Sequence, residues 1–373
     1  MKLTFDRNEL LQTLKMMHSL LDKNPKLPIL KHILVTTTAS HITLAATDLE
    51  LGLQRRMAIP CPESCSFVVP ADPVLEFIRE LHASTVQWTV DSTHNMTISA
   101  GKTKAKFKGL NAQDYPALPA IPAPLLFSLP IGDLQDLLNE TLPAVGEQTE
   151  RYILNAIRFK MTDGPTPILE AVGTDGKRLV LTSRASGVWL TKDHEDKTML
   201  VPKKIGKVLK TLLANADDTQ IGIGLSASLA GFQLGATMLT SRLMEGQYPK
   251  HEGVIPQKTN ALFTLPKLNL EDPLRRVSVI SGRDAKPIQV KIRPTEILLQ
   301  AVNVDMGEAT ESIEITSTRG ELVTGFNTHY LLDALASMPG EHCQVYMDSP
   351  LAPCLLTTPE RPEWNHIVMP LKV

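Results

Sequence analysis

Apolar positions along this chain follow two rhythms, and the whole alternation is written three times. Leu10, Leu11, Leu14 and Met17 are spaced as one face of a helix. Asp6 and Glu9 stand ahead of them in capping-box spacing. HITLAATDLELGLQ then alternates with period two, as a half-buried strand does. A short strand running into a helix opens at Leu3 (LTFDRNELLQTLKMM), Leu126 (LFSLPIGDLQDLLNETL) and Leu262 (LFTLPKLNLEDPLRRVSVI). A second such step follows at Phe67 (FVVPADPVLEFIRELH), Met199 (MLVPKKIGKVLKTLL) and Leu322 (LVTGFNTHYLLDALASM). Asp72 before Pro73 predicts an N-cap with proline at the first helical position. Asn327 predicts a cap for the third copy, and Pro339 its end.

A third landmark fixes the period. LAATDLEL, AVGTDGKRL and LQAVNVDM carry Asp48, Asp175 and Asn303 at intervals of 127 and 128 residues. The repetition predicts an α+β protein of three tandem units, each with two helices packed on antiparallel sheets. Proline-rich, tyrosine-led junctions, YPALPAIPAP and YPKHEGVIP, divide it into 1–123, 124–256 and 257–373.

Composition narrows the chemistry. A net charge of −2 excludes wholesale attraction to nucleic acid, so any contact with DNA needs local segregation of charge. That segregation occurs in the helix after Pro202, where Ile205, Val208, Leu209, Leu212 and Leu213 share one face. Lys203, Lys207 and Lys210 fall opposite them, with Lys204 at the edge. Such a face is either simply solvated or set against phosphates. GKTKAKFKG puts Lys102, Lys104, Lys106 and Lys108 on one side of a strand, with Thr103, Ala105 and Phe107 on the other. Lysines there either guard an exposed edge or pair it with an acidic strand of another subunit, which Glu308, Glu311 and Glu314 supply.

No phosphate-binding loop, dinucleotide glycine fingerprint, nucleophile elbow or paired-histidine zinc motif occurs. Asp175 could be read as a catalytic acid, but Asp48 and Asn303 hold the same place, so a turn is expected. Cys61, Cys65, Cys343 and Cys354 match no standard zinc spacing, even with His342 beside Cys343, and read as reduced thiols. With no 18-residue apolar run and an N-terminus that turns polar at Asp6 and Arg7, a cytoplasmic location is expected.

Several short stretches recur in a known order: LPIL (27–30), ATDLEL (46–51), RYILN (151–155), GTDGKRL (173–179), VPKK (201–204), YP (248–249), GFN (325–327) and VMPLKV (368–373). Together they resemble the bacterial DNA sliding clamps, the beta subunits of DNA polymerase III, along the whole chain. The resemblance implies three clamp domains assembling into a head-to-tail dimeric six-domain ring, helices lining the hole. It implies a processivity factor without catalytic residues, cofactor or metal. Its partners would be encircled double-stranded DNA, the replicative polymerase's catalytic subunit, the clamp loader, and repair polymerases and mismatch-repair proteins that carry clamp-binding motifs. DNA contacts would fall on Gln148, Arg151, Tyr152, Lys203 and Lys204, to which the helix pattern adds Lys207. A groove for partner peptides would be lined by Leu154, Thr174, Gly176, Lys177, Arg178, Leu179, Pro249, Val254, Ile367, Val368, Met369, Pro370 and Leu371. The interface would join Lys102, Lys104, Ala105, Lys106 and Phe107 to Val279, Ile280, Glu308 and Glu311. Asn24 and Ile153 stand where relatives carry Arg and Tyr, Ala105 where an aromatic is common, and Gly253 and Ala352 in place of Arg and Ser. These departures leave a second reading, a clamp-like adaptor that binds peptides but encircles DNA poorly.

Overall fold

The structure is a computed structural model and describes every residue except 23, 62, 120–121, 148–149, 192–194, 257–260, 282–286, 319 and 373. The first repeat contains β1 (Lys2–Asp6), α1 (Arg7–His18), β2 (His32–Thr37), β3 (Ile42–Thr47), β4 (Leu51–Met57) and β5 (Ser66–Pro70). It continues with α2 (Ala71–Glu80), β6 (Thr85–Val90), β7 (Met96–Ala100), β8 (Thr103–Phe107) and the short β9 (Leu110–Asn111). The second runs β10 (Phe127–Pro130), α3 (Ile131–Thr141), β11 (Ala156–Thr162), β12 (Ile168–Thr174), β13 (Arg178–Arg184) and β14 (Val188–Trp189). It closes with β15 (Lys197–Pro202), α4 (Lys203–Leu213), β16 (Gln220–Leu225), β17 (Leu229–Leu234) and β18 (Thr237–Arg242). The third has β19 (Phe263–Pro266), α5 (Lys267–Ser281), β20 (Pro287–Ile292), β21 (Glu296–Asn303), β22 (Gly307–Glu314) and β23 (Leu322–Asn327). It ends with α6 (Thr328–Ser337), β24 (His342–Tyr346), β25 (Cys354–Thr357) and β26 (Asn365–Val368).

Local chemistry explains most element starts. Asp6 caps α1 by accepting from the amides of Asn8 and Glu9, and Asn327 caps α6 by accepting from that of His329. The expected cap at Asp72 is corrected. α2 begins earlier, with Pro70 as its N-cap and no side-chain cap, so Asp72 and Pro73 both lie inside the first turn. First-turn amides have no intrahelical partner, so proline costs no hydrogen bond there. Asp72 instead pairs with His18 of α1 at 2.8 Å.

The chain packs as two compact units, and neither follows one repeat. One comprises Met1–Gly132, Val188–His194 and Val208–Leu243; the other takes Asp133–Gly187, Glu195–Lys207 and Met244–Val373. The first unit holds a four-stranded sheet, β1-β6-β7-β8, and a ten-stranded one, β14-β10-β16-β17-β18-β4-β3-β2-β5-β9. The second holds an eight-stranded sheet, β15-β11-β12-β13-β26-β25-β24-β19, and a four-stranded one, β22-β21-β20-β23. Neighbouring strands pair antiparallel.

Within each unit one pairing joins two repeats. In the first, β4 pairs with β18 and sets Leu53 opposite Leu239. In the second, β13 pairs with β26 and sets Val180 opposite His366. These are the same joint. Leaving the two-residue β14 uncounted, the fourth strand of one repeat meets the eighth strand of the next, in one register. The shared Asx turn makes Leu53 the counterpart of Val180, since Ala46 pairs with Leu53 and Gly173 with Val180. The ladders Phe127–Ile223–Phe232–Leu239 and Phe263–Val345–Leu356–His366 make Leu239 the counterpart of His366. Leu53, Leu239, Val180 and His366 are all buried.

Candidate functional site

The three landmark turns are stabilised locally. Asp48 Oδ1 accepts from the amides of Glu50 and Leu51, Asp175 Oδ1 from those of Lys177 and Arg178, and Asn303 Oδ1 from that of Asp305. Asp175 also takes the Arg178 Nε at 3.0 Å, so its oxygens are committed to shaping the turn. The cysteines offer little more chemistry. Burial pushes the Cys343 thiol up, and that of Cys354 up to about 12. Both therefore stay protonated at neutral pH, poor nucleophiles and poor metal ligands. Among the described residues no group of three His, Cys, Asp or Glu side chains could hold a metal ion. None of their helices is long and apolar enough to cross a membrane.

The basic helix face is narrower than its spacing suggests. On α4 the residues Lys204, Lys207 and Lys210 are exposed. Lys203 does not share that exposure. Its side chain is 16% exposed, and its Nζ donates to the Val145 carbonyl at 2.6 Å and lies 3.1 Å from Glu147. Glu147 also takes Lys207 Nζ at 2.7 Å, and the two lysines hold its carboxyl down to about 2. Inspecting α4 alone could not reveal this acid, because it comes from the loop after α3. Arg151 and Tyr152 are exposed, and the Tyr152 hydroxyl donates to the Glu245 carbonyl at 2.9 Å. Gln148 lies outside the described residues.

The residues expected in a peptide groove gather around the β13–β26 joint, on both faces of its sheet. Leu179 and Ile367 pack with Val172 and Leu355 on one face, beneath Tyr248 and Ile255 of the following connection. Val368 and Arg178 pair across the joint and face the other way, Val368 wholly buried in the core. Around the rim Gly176, Lys177, Pro249 and Met369 are exposed, with Val254, Leu371 and half-buried Pro370. Leu154 is buried under the turn, and the Gly146 amide ties the two by bonding the carbonyls of both Leu154 and Thr174. Two strand-like contacts hold the C-terminal segment. The Met369 amide donates to the Lys177 carbonyl at 2.9 Å, and Gly325 bridges Leu371.

Two residues of this site escaped the sequence reading. The Arg178 guanidinium sits 4.4 Å from the centroid of the Tyr330 ring and 2.5 Å from Asp333, both on α6. Their three-residue spacing on a capped helix was the available signal.

The interface residues lie on two edge strands. β8 ends its sheet, with Lys104 and Lys106 exposed, Ala105 half-buried, and Phe107 edge-on to Phe77 at 5.6 Å. Lys102 occupies the turn before it, and Lys106 pairs with Asp91 at 3.2 Å. β22 ends another sheet, but its glutamates divide. Glu308 and Glu314 share the face of Thr310 and Ser312, whereas Glu311 turns the other way and pairs with Arg276 of α5 at 2.6 Å. The division follows from their three-residue spacing in a strand of period two, and which of them faces outward is set by one extra residue in the preceding hairpin. Ala46–Leu53 and Gly173–Val180 close the first two hairpins, but the counterpart pair is Ala301–Ala309. A one-residue shift swaps every side chain to the other face. On α5 Val279 is 64% exposed and Ile280 is partly buried against the core.

Comparison with known proteins identifies the family. Family models of the DNA polymerase III beta subunit match in chain order: the N-terminal domain at residues 1–119, the central domain at 128–250 and the C-terminal domain at 252–372. Beta sliding clamps of Caulobacter vibrioides and Pseudomonas aeruginosa are 26% and 25% identical to the chain, each aligned over the full length of both proteins. The crystal structure of the Pseudomonas aeruginosa clamp superposes with a TM-score of 0.92 at 26% identity, covering all of both chains. A Bartonella birtlesii clamp bound to griselimycin gives 0.92 at 27%, also over both full lengths. The chain belongs to the family of bacterial DNA polymerase III beta subunits, the sliding clamps.

Proposed function

We propose that two copies of this chain close head to tail into a ring of six repeats (1–123, 124–256 and 257–373 in each) that encircles duplex DNA without reading its sequence and tethers a polymerase to it. One observation carries this reading. Each repeat presents a fourth strand and an eighth strand, and inside the chain these pair twice, β4 with β18 and β13 with β26. The fourth strand of the last repeat, β22, and the eighth strand of the first, β8, end their sheets. A second copy supplies the missing partner to each, and a heterologous contact used twice closes the assembly.

Encirclement replaces affinity with topology, so the lining needs diffuse positive charge and no base contacts. Lys204, Lys207, Lys210, Arg151 and Tyr152 supply it, with Gln148 and Lys203 at its margin. Partner proteins (the polymerase's catalytic subunit, the clamp loader, repair and mismatch-repair proteins) dock a short extended peptide on the rim of the β13–β26 joint. Met369, Leu371, Val254 and Pro249 give apolar contacts there, and Arg178 with Tyr330 gives a polar end. The protein performs no chemistry itself.

The test is to load the protein onto nicked circular DNA with a clamp loader and then linearise the circle. A ring slides off the cut ends, whereas a protein held by affinity stays bound. The adaptor reading draws on Glu147, which neutralises part of the lysine face. It predicts peptide binding of full strength with no loader-dependent retention on circles.

A further inference from the structure

The two joints within the chain fix the register of the third. Matching hairpins make Thr103, Ala105 and Phe107 of β8 the counterparts of Thr237, Leu239 and Ser241 of β18, because Ala100 pairs with Thr103 as Leu234 does with Thr237. Allowing for the extra hairpin residue, Ala309 of β22 is the counterpart of Leu53 and Val180. Transferring the pairing of Leu53 with Leu239 therefore sets Ala309 opposite Ala105 of a second copy. One step along, where Gly52 meets Thr240, Glu308 falls opposite Lys106. One step the other way, Thr310 falls opposite Lys104.

We infer that this third joint is a charge-coded latch: Glu308 of one copy pairs with Lys106 of the other, while the apolar centre that secures the internal joints shrinks to Ala309 against Ala105. This rests on the head-to-tail reading above. The contrast is built into the strands. The equivalent pairs are Leu53 with Leu239 and Val180 with His366, all buried, whereas Ala105 and Ala309 are only half-buried in the chain by itself. Two methyl groups bury far less apolar surface than two leucines. The outer face compensates. Glu308 directly opposes Lys106, and Lys104 and Lys108 lie one diagonal step away, within reach of long side chains. Lys106 then sits between Asp91 of its own chain and Glu308 of the other. Because these groups are solvent-exposed, their attraction is screened by salt, so the ring opens with ionic strength while each chain stays folded. The same code favours a second copy of this chain over a clamp with different edge charges.

Charge reversal tests the register, read by analytical ultracentrifugation of the full chain. Glu308→Lys and Lys106→Glu should each give folded monomers, since each places like charges opposite each other at both joints. An equimolar mixture of the two variants should restore the dimer, because one joint then carries the reversed pair and the other the native pair. Raising salt from about 0.05 M to about 0.5 M should weaken the unmodified dimer about tenfold or more. If the single variants stay dimeric, or their mixture stays monomeric, the latch is wrong while the head-to-tail reading survives. A salt-insensitive dimer likewise overturns the latch alone. If the unmodified chain is monomeric at every concentration in low salt, the head-to-tail reading itself fails.

Discussion

Leu49 holds a φ of 82° in the first landmark turn, where the second turn has Gly176 at 87°. Side chains rarely adopt that region, and Leu49 is 41% exposed, so little packing compensates for the strain. Leu49→Gly should therefore raise stability by up to about 1 kcal/mol, read as a higher urea midpoint at unchanged slope. His366 shows a different cost. It is wholly buried beside Trp364, and neither ring nitrogen has a hydrogen-bond partner among the described residues. Burial, helped by the nearby Arg178 cation, lowers its pKa from 6.5 to about 3. The folded state thus refuses a proton that the unfolded state accepts. Its contribution is fully present above pH 6.5 and is lost as pH falls towards 3. Near pH 5 the loss should be about 2 kcal/mol. His366→Leu, which copies Leu239 at the same place, should remove that acid slope in unfolding curves at pH 7 and pH 5, and add about 1–2 kcal/mol at neutral pH. At this scale the sequence was readable wherever a side chain bonds its own neighbourhood, as Asp6, Asp48, Asp175 and Asn327 do. It left open whether Glu308 or Glu311 takes the outer face of β22, because hairpin length, not composition, decides which face a strand residue takes.

Helices and strands were legible through periodicity, but their surroundings were not. The spacing on α4 identified the buried face correctly, yet it could not say that Lys203 folds back onto the Val145 carbonyl or that Glu147 spans two lysines. Charge reversal at Lys204, Lys207 and Lys210 together should sharply shorten retention on circular DNA and leave peptide binding unchanged. Glu147→Gln should act oppositely, lengthening retention and steepening its salt dependence by about one charge. The depressed Glu147 pKa keeps its ion pairs intact far below neutral pH, until the pH approaches about 2, while their contribution to stability begins to fall below 4.5. Retention of the unmodified chain should thus be indifferent to pH between about 6 and 8 as far as this group is concerned. α6 was recognised as a helix and not as part of a site. Tyr330→Ala removes the ring from Arg178 and should weaken a partner peptide about tenfold by fluorescence anisotropy, without changing the sheet beneath.

At the scale of the whole molecule the repeat was visible in sequence, whereas the joints were not, because strand pairing between repeats leaves no local pattern. What joins Leu53 to Leu239 is complementarity between residues far apart in the chain. The inferred register nevertheless lets the proposed joint between copies be rewritten in the image of the Leu53–Leu239 joint. Ala105→Leu with Ala309→Leu writes the Leu53–Leu239 pair into the contact between copies. Either change alone sets one large side chain against a methyl group and should tighten the dimer only slightly. Together they should couple, adding about 1–2 kcal/mol at each joint beyond the sum of the single changes. Two joints close the ring, so the dissociation constant should fall about a hundredfold or more by dilution sedimentation. The dimer should also resist salt, since its stability would no longer rest mainly on Glu308 and Lys106. Strictly additive effects would mean that Ala105 and Ala309 do not face each other.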